Sequence, residues 1–352
     1  MQTKEFLQNM TTLSGGSGYE EQISRFIKRE FEAYCDEVTT DAYYMVTGIK
    51  SGNIPVDSPC RILICAHMDE ITLLVKEIDE QGFLRVAKNG GFDIRLFPGL
   101  EVLIHGKREI PGVFGAKPPH IQKAGEKDKP LPLDDLYIDT GLTPDHAKEL
   151  ISIGDIITYN SPLLELKNGC IAGKAMDDRA GLAILLATMR ELEKLRYSAE
   201  VYFGATVQEE IGVKGATMIG QRVQPDIGIA IDVTHAVTPD APASSGTVPM
   251  NKGISITCGP NIHPGLFEKL CKTAQENRID YSVEVNPRPT GTDARALQIA
   301  GAGMPTLLLS IPLKYMHTPC EVIRTETIDI AGKLLALFIA EMKGDWKQWI
   351  SY

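Results

Sequence analysis

The chain has 352 residues, of which 43% are apolar and 23% are charged, a composition typical of a globular enzyme rather than a disordered or fibrous chain. Its formal net charge is −10 and no basic block is present, which argues against nucleic acid as a partner. No apolar secretory signal opens the chain, and its longest apolar runs are too short to cross a bilayer. The seven scattered cysteines form no CxxC pair and suit reduced thiols. These features predict a cytoplasmic protein without membrane contact.

The first 72 residues predict one helix followed by two strands. Apolar residues recur at helical spacing within 17–35, the pattern of an amphipathic helix. A strand is predicted near 37–46. A second, buried strand is predicted over 61–71, and it ends in polar residues.

The residue pattern of the sequence changes between residues 73 and 165. Short β-like runs alternate there with Gly, Pro and charged turns, and only 144–151 suggests a turn or two of helix. Within this segment, 117–135 is rich in Pro, Lys and Asp, which predicts a long loop. We therefore expect a small all-β module of residues 73–165, inserted into a larger domain built from 1–72 and 166–352.

After residue 165, strands and helices alternate, which predicts a mostly parallel, mixed sheet sandwiched by helices. The predicted strands are 200–207, 226–233, 253–258, 281–285 and 305–311, and the predicted helices are 177–195, 214–221, 263–277, 292–300 and 325–342.

Polar side chains cluster where the predicted strands of this α/β domain end. Ligands of open α/β sheets bind outside the carboxyl ends of the strands. A single His or Asp after a strand is more often structural, and a Glu pair is more often a solvated turn. Several such placements at one edge of one sheet instead predict a site. The residues are His67, Asp69, Asp177, Asp178, Glu209, Glu210, Asp232, His235 and His317.

This mixture of imidazoles and carboxylates suits Zn(II), Co(II) or Mn(II). One zinc ion would leave too many carboxylates unused, whereas two metals about 3.5–4 Å apart would use them all. A hydrolytic site of this kind also needs one unligated carboxylate as general base. Glu209 and Glu210 can divide these roles, but spacing alone does not decide between them, nor between Asp177 and Asp178 as the bridging ligand.

His67 and Asp69 lie two positions apart at the end of a strand and therefore share a face. Metal-binding imidazoles usually donate their second ring N–H to an acceptor. We therefore predict that Asp69 orients His67, although a turn-capping role for Asp69 is the alternative.

These residues lie in five motifs, which in chain order are AHMDEI, KAMDDRAG, VQEEIGVKGA, IDVTHA and YMHTPCEVI. Together the motifs resemble the dinuclear aminopeptidases of the glutamyl aminopeptidase and tetrahedral (TET) peptidase type, the forty-second metallopeptidase family. The resemblance spans about residues 5–345. It implies a zinc-exopeptidase-like fold in which the inserted module is a small β-barrel that serves assembly and substrate access.

The resemblance also assigns the metal ligands. Asp177 would bridge two divalent ions. His67 and Asp232 would complete one ion, and Glu210 and His317 the other. Zinc is expected first, with cobalt or manganese as alternatives.

The same resemblance assigns the catalytic groups. Glu209 becomes the general acid/base, Asp69 becomes the partner of His67, and the Asp177–Asp178 peptide bond is expected to be cis. The implied activity is removal of the N-terminal residue from peptides with a free amino terminus, by a water that two metals activate.

The chain departs from the family pattern around residues 290–298 and before YMH. Arg295 and Gln298 stand where small residues and His are common, and Lys314 stands where Arg is frequent. These departures concern the positions expected to contact the substrate. We regard Arg288, Arg295 and Lys314 as candidates for contact with an acidic side chain or a peptide carboxylate, with a surface role as the alternative.

Other functions remain to be compared with the aminopeptidase. An amidohydrolase or deacylase acting on a small N-acyl substrate is the main alternative. Relatives labelled endoglucanase and a non-catalytic scaffold are more remote, because adjacent glutamates cannot flank a sugar and no candidate ligand is missing. By resemblance, a homo-oligomer, namely a dodecamer, is also expected. The preferred N-terminal residue stays open.

Overall fold

A computed structural model describes residues 2–115, 117–118, 120, 131–241 and 247–351. An eight-stranded mixed sheet with helices packed against it forms the larger part of the molecule. A closed six-stranded antiparallel barrel and a small three-stranded sheet complete the fold. The predicted α/β class, interrupted by an all-β barrel, is confirmed.

The strands are β1 (Glu37–Thr40), β2 (Val46–Lys50), β3 (Arg61–His67), β4 (Thr72–Ile78), β5 (Leu84–Asn89), β6 (Glu101–His105), β7 (Glu109–Phe114), β8 (Ile138–Asp139), β9 (Ile156–Tyr159), β10 (Leu164–Glu165), β11 (Cys170–Gly173), β12 (Glu200–Thr206), β13 (Ile227–His235), β14 (Ile254–Cys258), β15 (Tyr281–Val285), β16 (Thr306–Leu313) and β17 (Glu321–Arg324). The helices are α1 (Thr3–Thr12), α2 (Glu21–Phe31), α3 (Pro144–Leu150), α4 (Met176–Leu192), α5 (Lys214–Val223), α6 (Pro264–Glu276), α7 (Asp293–Ile299) and α8 (Thr325–Ala340).

The large sheet has the strand order β1-β2-β12-β3-β13-β16-β14-β15. Its four central strands, β12, β3, β13 and β16, run parallel and are almost entirely buried, as expected for strands covered on both faces. In their register His67 lies opposite Thr206, and Asp232 lies opposite Ser310. The carboxyl ends of these strands therefore meet at one edge of the sheet.

Helix α4 packs against β3, β13 and α8, and it is buried along nearly its whole length. The apolar side chains of this helix from Leu182 to Leu192 face the core. Regular helical geometry begins only after Asp178, whose carboxylate accepts a hydrogen bond from Gly181 N at 3.0 Å. Asp178 therefore caps the regular part of the helix.

The barrel has the strand order β4-β5-β8-β7-β6-β9 and its own apolar core, in which Phe97 stacks on Phe114 with ring centroids 4.8 Å apart. Its strands run from Thr72 to Tyr159, close to the predicted module of residues 73–165. Whether these boundaries separate independent folding units stays a prediction. Helix α3 confirms the expected turn or two of helix at 144–151.

The predicted loop at 117–135 lies mostly outside the described residues. At its carboxyl end, residues Leu133–Asp135 form a turn of 3-10 helix. No helix in the part of the chain that the structure describes is long and apolar enough to span a membrane. All seven cysteines are described, and none forms a disulfide.

The amino-terminal region differs most from prediction. Helix α1 was not predicted, and the helix expected over 17–35 begins only at Glu21, because Gly18 adopts a left-handed φ of 86°. The strand expected over 37–46 is a pair, β1 and β2. The chain reverses between them because the Asp41 carboxylate accepts hydrogen bonds from Tyr43 N and Met45 N.

A buried ionic cluster ties three of these elements together. Glu70, just beyond β3, accepts hydrogen bonds from Lys174 Nζ at 2.7 and 2.8 Å and from Arg179 Nη2 at 2.8 Å. Arg179 also donates to the carbonyls of Met10 and Leu13, at the end of α1. Burial alone would raise the pKa of Glu70, but Arg179 and Lys174 hold it below its ordinary value. The cluster therefore fixes α1, the end of β3 and the start of α4 relative to one another.

We expect Glu70→Gln to lower the free energy of unfolding by about 3–5 kcal/mol, because it leaves two buried cations without a counter-charge. The urea midpoint of the purified protein measures this loss. As the matched control, Glu21→Gln removes the exposed partner of Arg25 and should cost less than about 1 kcal/mol. Equal midpoints for the two variants would contradict a role for the cluster in stability.

Candidate metal centre

The predicted site residues meet at the carboxyl edge of the central strands. His67 is the last residue of β3, and Asp232 lies near the end of β13. Glu209 and Glu210 follow β12, and His317 follows β16. A cleft of about 550 Å³ opens over this edge.

Asp177 lies at the centre of the cluster. Its Oδ1 is 3.1 Å from Nε2 of His67, and its Oδ2 is 3.4 Å from Nε2 of His317. Non-helical backbone angles at Asp177 and Asp178, joined by a cis peptide bond, turn the chain into α4 at this point. One carboxylate therefore faces two imidazoles, with a different oxygen toward each.

The potential ligand atoms form two groups that share Asp177. Within each group these atoms lie within 4.8 Å of one another, and no further group of this kind occurs among the described residues. In the second group, Glu210 Oε1 is 3.2 Å from His317 Nε2. The groups are His67, Asp177 and Asp232, and Asp177, Glu210 and His317.

The electrostatics of both groups favour positive charge between the ligands. Burial raises the pKa of Asp232, and Asp177 raises it further. Burial also raises the pKa of Glu210. Burial should lower the pKa of His317, yet Asp177 and Glu210 raise it to about 11. With neutral imidazoles, the three carboxylates would carry three buried negative charges. Two divalent cations would offset that charge, so the residues fit such ions.

Glu209 belongs to neither group but lines the same cleft. Burial is the main cause that raises its pKa to about 10, and Asp232 and Asp293 add to the effect. The residue before it, Gln208, has a left-handed φ of 55°, which turns the chain sharply at the end of β12. Glu209 is thus held beside the candidate metal ligands without being one of them.

The fully buried Asp69 carboxylate organises the glutamate pair. Its Oδ1 accepts a hydrogen bond from Glu209 N at 3.0 Å, and its Oδ2 accepts one from Glu210 N at 3.2 Å. His67 Nδ1 lies 3.0 Å from the main-chain oxygen of Asp69 but 3.5 Å from its carboxylate. The predicted contact with His67 thus occurs mainly through the backbone, while the side chain binds the two amides.

Glu321 is a buried part of the site that we did not single out from the sequence. Its two carboxylate oxygens accept hydrogen bonds from His317 N at 2.7 Å and from Asp177 N at 3.2 Å. It therefore holds the backbone of two candidate ligands. Its place in the motif YMHTPCEVI was the only available signal.

The cleft contains one of the three predicted substrate residues. Arg295 is exposed and lines it, together with Glu284 on β15. Arg288 and Lys314 lie outside the lining. Glu284 was not selected from the sequence, because an isolated Glu on a strand carries no distinguishing pattern.

Several residues that flank the site have left-handed backbone conformations although they are not glycine. Such conformations are unfavourable for residues with a Cβ atom. The loops that carry the candidate ligands thus have backbones fixed by their surroundings. The residues are Ala175 (φ 58°), Gln208 (φ 55°), Val213 (φ 50°), Tyr315 (φ 63°) and His317 (φ 62°).

Comparison with known proteins identifies a family of aminopeptidases that this chain resembles. A family model described as M42 glutamyl aminopeptidase matches residues 48–334. Lysyl aminopeptidase from Pyrococcus furiosus is 33% identical over 345 residues, which are 96% of this chain and 97% of that protein.

Solved structures agree with that match. An aminopeptidase from the archaeon Desulfurococcus kamchatkensis has a TM-score of 0.91 at 32% identity, covering 100% of this chain and 98% of that chain. Pyrococcus horikoshii TET1 peptidase, described as able to assemble into a tetrahedron or a large octahedral shell, has a TM-score of 0.85 at 32% identity. That alignment covers 97% of this chain and 100% of that chain.

We expect the protein to bind two Zn²⁺ ions per chain and His317→Asn to weaken one of these sites at least about tenfold, because one group loses its imidazole. Calorimetric titration of metal-stripped protein measures both sites. His235→Asn is the matched control, since His235 lines the cleft but belongs to neither group. Two unchanged sites in His317→Asn would show that His317 is not a ligand.

Proposed function

The chain belongs to the M42 glutamyl aminopeptidase family, and from this premise we propose that it hydrolyses the first peptide bond of substrates with a free amino terminus. The observation that carries the proposal is the pair of potential cation-binding groups sharing Asp177, with the unligated carboxylate of Glu209 beside them. A hydrolytic site needs both parts, namely cations and a separate proton carrier.

We assign His67 and Asp232 to one divalent cation and Glu210 and His317 to the other, with Asp177 shared by both. Bound there, the ions would supply Lewis-acid polarisation of the scissile carbonyl and lower the pKa of the attacking water. Nitrogen and oxygen ligands without thiolates suit zinc, and they also suit cobalt or manganese.

Glu209 is proposed as the proton carrier. Its carboxylate takes a proton from the attacking water as the new C–O bond forms. It then gives that proton to the peptide nitrogen as the C–N bond breaks, which releases a free amino acid and a peptide shorter by one residue. Cations held by the neighbouring ligands would lower the pKa of Glu209 and so supply the ionised form that this role needs. Asp69 acts indirectly, because its carboxylate accepts hydrogen bonds from the backbone amides of Glu209 and Glu210.

The rival functions fit these contacts less well. A glycosidase needs two carboxylates on opposite sides of the scissile bond, about 5–9.5 Å apart. The backbone amides of Glu209 and Glu210 both donate to the Asp69 carboxylate, so the two glutamates lie side by side. A glycosidase would also leave His67 and His317 without a role. A scaffold protein has no need of a retained proton carrier. A deacylase could use the same centre, so recognition of a free amine has to be tested directly.

Substrate selection is proposed to depend on Arg295, the cation in the cleft that is best placed to meet an acidic group. Glu284 lines the same cleft and would favour a basic group. Arg288 and Lys314 stay predictions from the sequence. Because the two cleft residues carry opposite charges, the preferred N-terminal residue is left to experiment.

We predict that Glu209→Gln keeps two metals per chain but loses turnover on aminoacyl-anilides by at least about 100-fold, because the amide cannot carry the proton. Steady-state kinetics and metal analysis of the same preparation measure both quantities. A Glu209→Gln enzyme that remains active would exclude Glu209 as the base.

The same assay separates the rival functions. Leucyl, lysyl and glutamyl anilides should be cleaved by the wild type, whereas their N-acetylated counterparts should not. Preference for the acetylated compounds would favour a deacylase. Cellulose hydrolysis that survives chelation would favour an endoglucanase.

We also propose that the chain forms a large homo-oligomer, a dodecamer by analogy with the TET peptidases, with the barrel serving assembly and substrate access. Light scattering coupled to gel filtration should then give the mass of twelve 38.6-kDa chains. A monomer at micromolar concentration would contradict this proposal.

A further inference from the structure

We propose that an N-terminal strap, residues 16–20, positions the proton carrier of the reaction through two buried side chains, Ser17 and Glu20. This inference rests on the proposed function of Glu209. The strap lies between α1 and α2, far from Glu209 in sequence, and it contacts both Gln208, the residue before the glutamate pair, and Asp69, whose carboxylate binds the amides of the pair.

Ser17 contacts the carboxylate that binds the amides of the glutamate pair. Its hydroxyl donates a hydrogen bond of 2.5 Å to Oδ2 of Asp69, the carboxylate that also accepts from Glu209 N and Glu210 N. Asp69 is fully buried and Ser17 is 3% exposed, so water does not offer a substitute donor. The hydroxyl therefore fixes the carboxylate in the orientation that receives both amides.

Glu20 contacts the residue immediately before the glutamate pair. Its Oε1 accepts hydrogen bonds from Gly18 N at 2.9 Å and from Gln208 N at 3.1 Å. Glu20 is 1% exposed, and Gln208 has the left-handed conformation that turns the chain immediately before Glu209. Three consecutive backbone amides, from 208 to 210, are thus held by two buried carboxylates.

Local helix formation does not explain these side chains. Glu20 occupies the N-cap position of α2, yet its side chain makes no capping hydrogen bond to that helix. A buried carboxylate is costly unless it is hydrogen-bonded, and the partners of Glu20 are Gly18 of the strap and Gln208 of the catalytic loop. The side chain is directed toward the proton carrier rather than toward its own helix.

The strap is itself anchored at several points. Immediately before the strap, Glu70 N donates to Gly15 O at 2.9 Å, and within it Asn89 Nδ2 donates to Ser17 O at 2.9 Å. Gly16 lies so close to Thr72 that a Cβ atom there would come within 2.4 Å of its hydroxyl. The strap is thus packed against the end of β3 and the first strands of the barrel, and it forms a rigid support.

A displaced proton carrier slows the reaction without preventing metal binding, and a shift of about 1 Å can cost about 100-fold. Removal of the acceptor on Glu20 or of the hydroxyl on Ser17 should therefore lower kcat while KM and metal content stay unchanged. A residue that merely supports the fold would lower stability and metal content together.

The experiment compares Glu20→Met, which removes the acceptor, with Glu20→Gln, which keeps an oxygen for the same two amides. We expect Glu20→Met to lower kcat at least about tenfold on an aminoacyl-anilide, with KM within about twofold and two metals retained. Glu20→Gln should stay within about threefold of wild type. Hydrogen–deuterium exchange of amides 208–210, followed by mass spectrometry, should become faster in Glu20→Met only.

Ser17→Ala is a second, smaller change, with the same expected fall in kcat. Its matched control is Ser14→Ala, because the Ser14 hydroxyl donates only to Gln22, away from the site. Wild-type kcat in both Glu20→Met and Ser17→Ala would overturn the inference, as would a fall in kcat that follows loss of metal or fold. A wild type that cleaves no free-amine substrate would instead refute the proposed function, and the inference with it.

Discussion

The concentration of carboxyl groups at one edge of the central sheet is the constraint on which the rest of the structure depends. Each of these groups is buried or half-buried, and most stand within reach of another negative charge. Such a cluster is stable only where hydrogen-bond donors or cations are directed into it. The members are Asp69, Asp177, Asp178, Glu209, Glu210, Asp232, Asp293 and Glu321.

The fold meets this constraint in three ways. Backbone amides donate hydrogen bonds to the carboxylates of Asp69 and Glu321. The imidazoles of His67 and His317 contact the carboxylate of Asp177. Glu70, next to the cluster, has two fixed cationic side chains. Divalent cations are proposed for Asp177, Glu210 and Asp232, which form the two potential cation-binding groups. The carboxylates of this edge thus differ in which groups offset their charge.

The sequence predicted that the candidate ligands lie together, because strand ends are recognisable from the sequence pattern and the parallel register brings them to one edge. His67, Asp232 and His317 were found in this way, and the family resemblance ordered the pairs at 177–178 and 209–210. The pattern could not indicate Glu321 or the strap. Glu321 and Glu20 each bind a backbone amide more than 140 residues away, at Asp177 and Gln208, and such an amide is present whatever the residue type. The helix predicted over 17–35 begins only at Glu21, because Gly18 has a left-handed φ and the side chains of Ser17 and Glu20 contact Asp69 and Gln208.

The left-handed backbone conformations around the site affect how the stability of this protein can be raised. Each costs about 1–3 kcal/mol relative to a relaxed backbone, in a molecule whose net stability is expected to be about 5–15 kcal/mol. Val213, a β-branched residue in that conformation, closes the turn after the glutamate pair with a hydrogen bond to the carbonyl of Glu209. Selection for heat resistance alone would favour glycine there, and with it a looser turn. A gain in stability at this position would therefore come with a looser turn beside the proposed proton carrier, and laboratory evolution has to select for stability and turnover together.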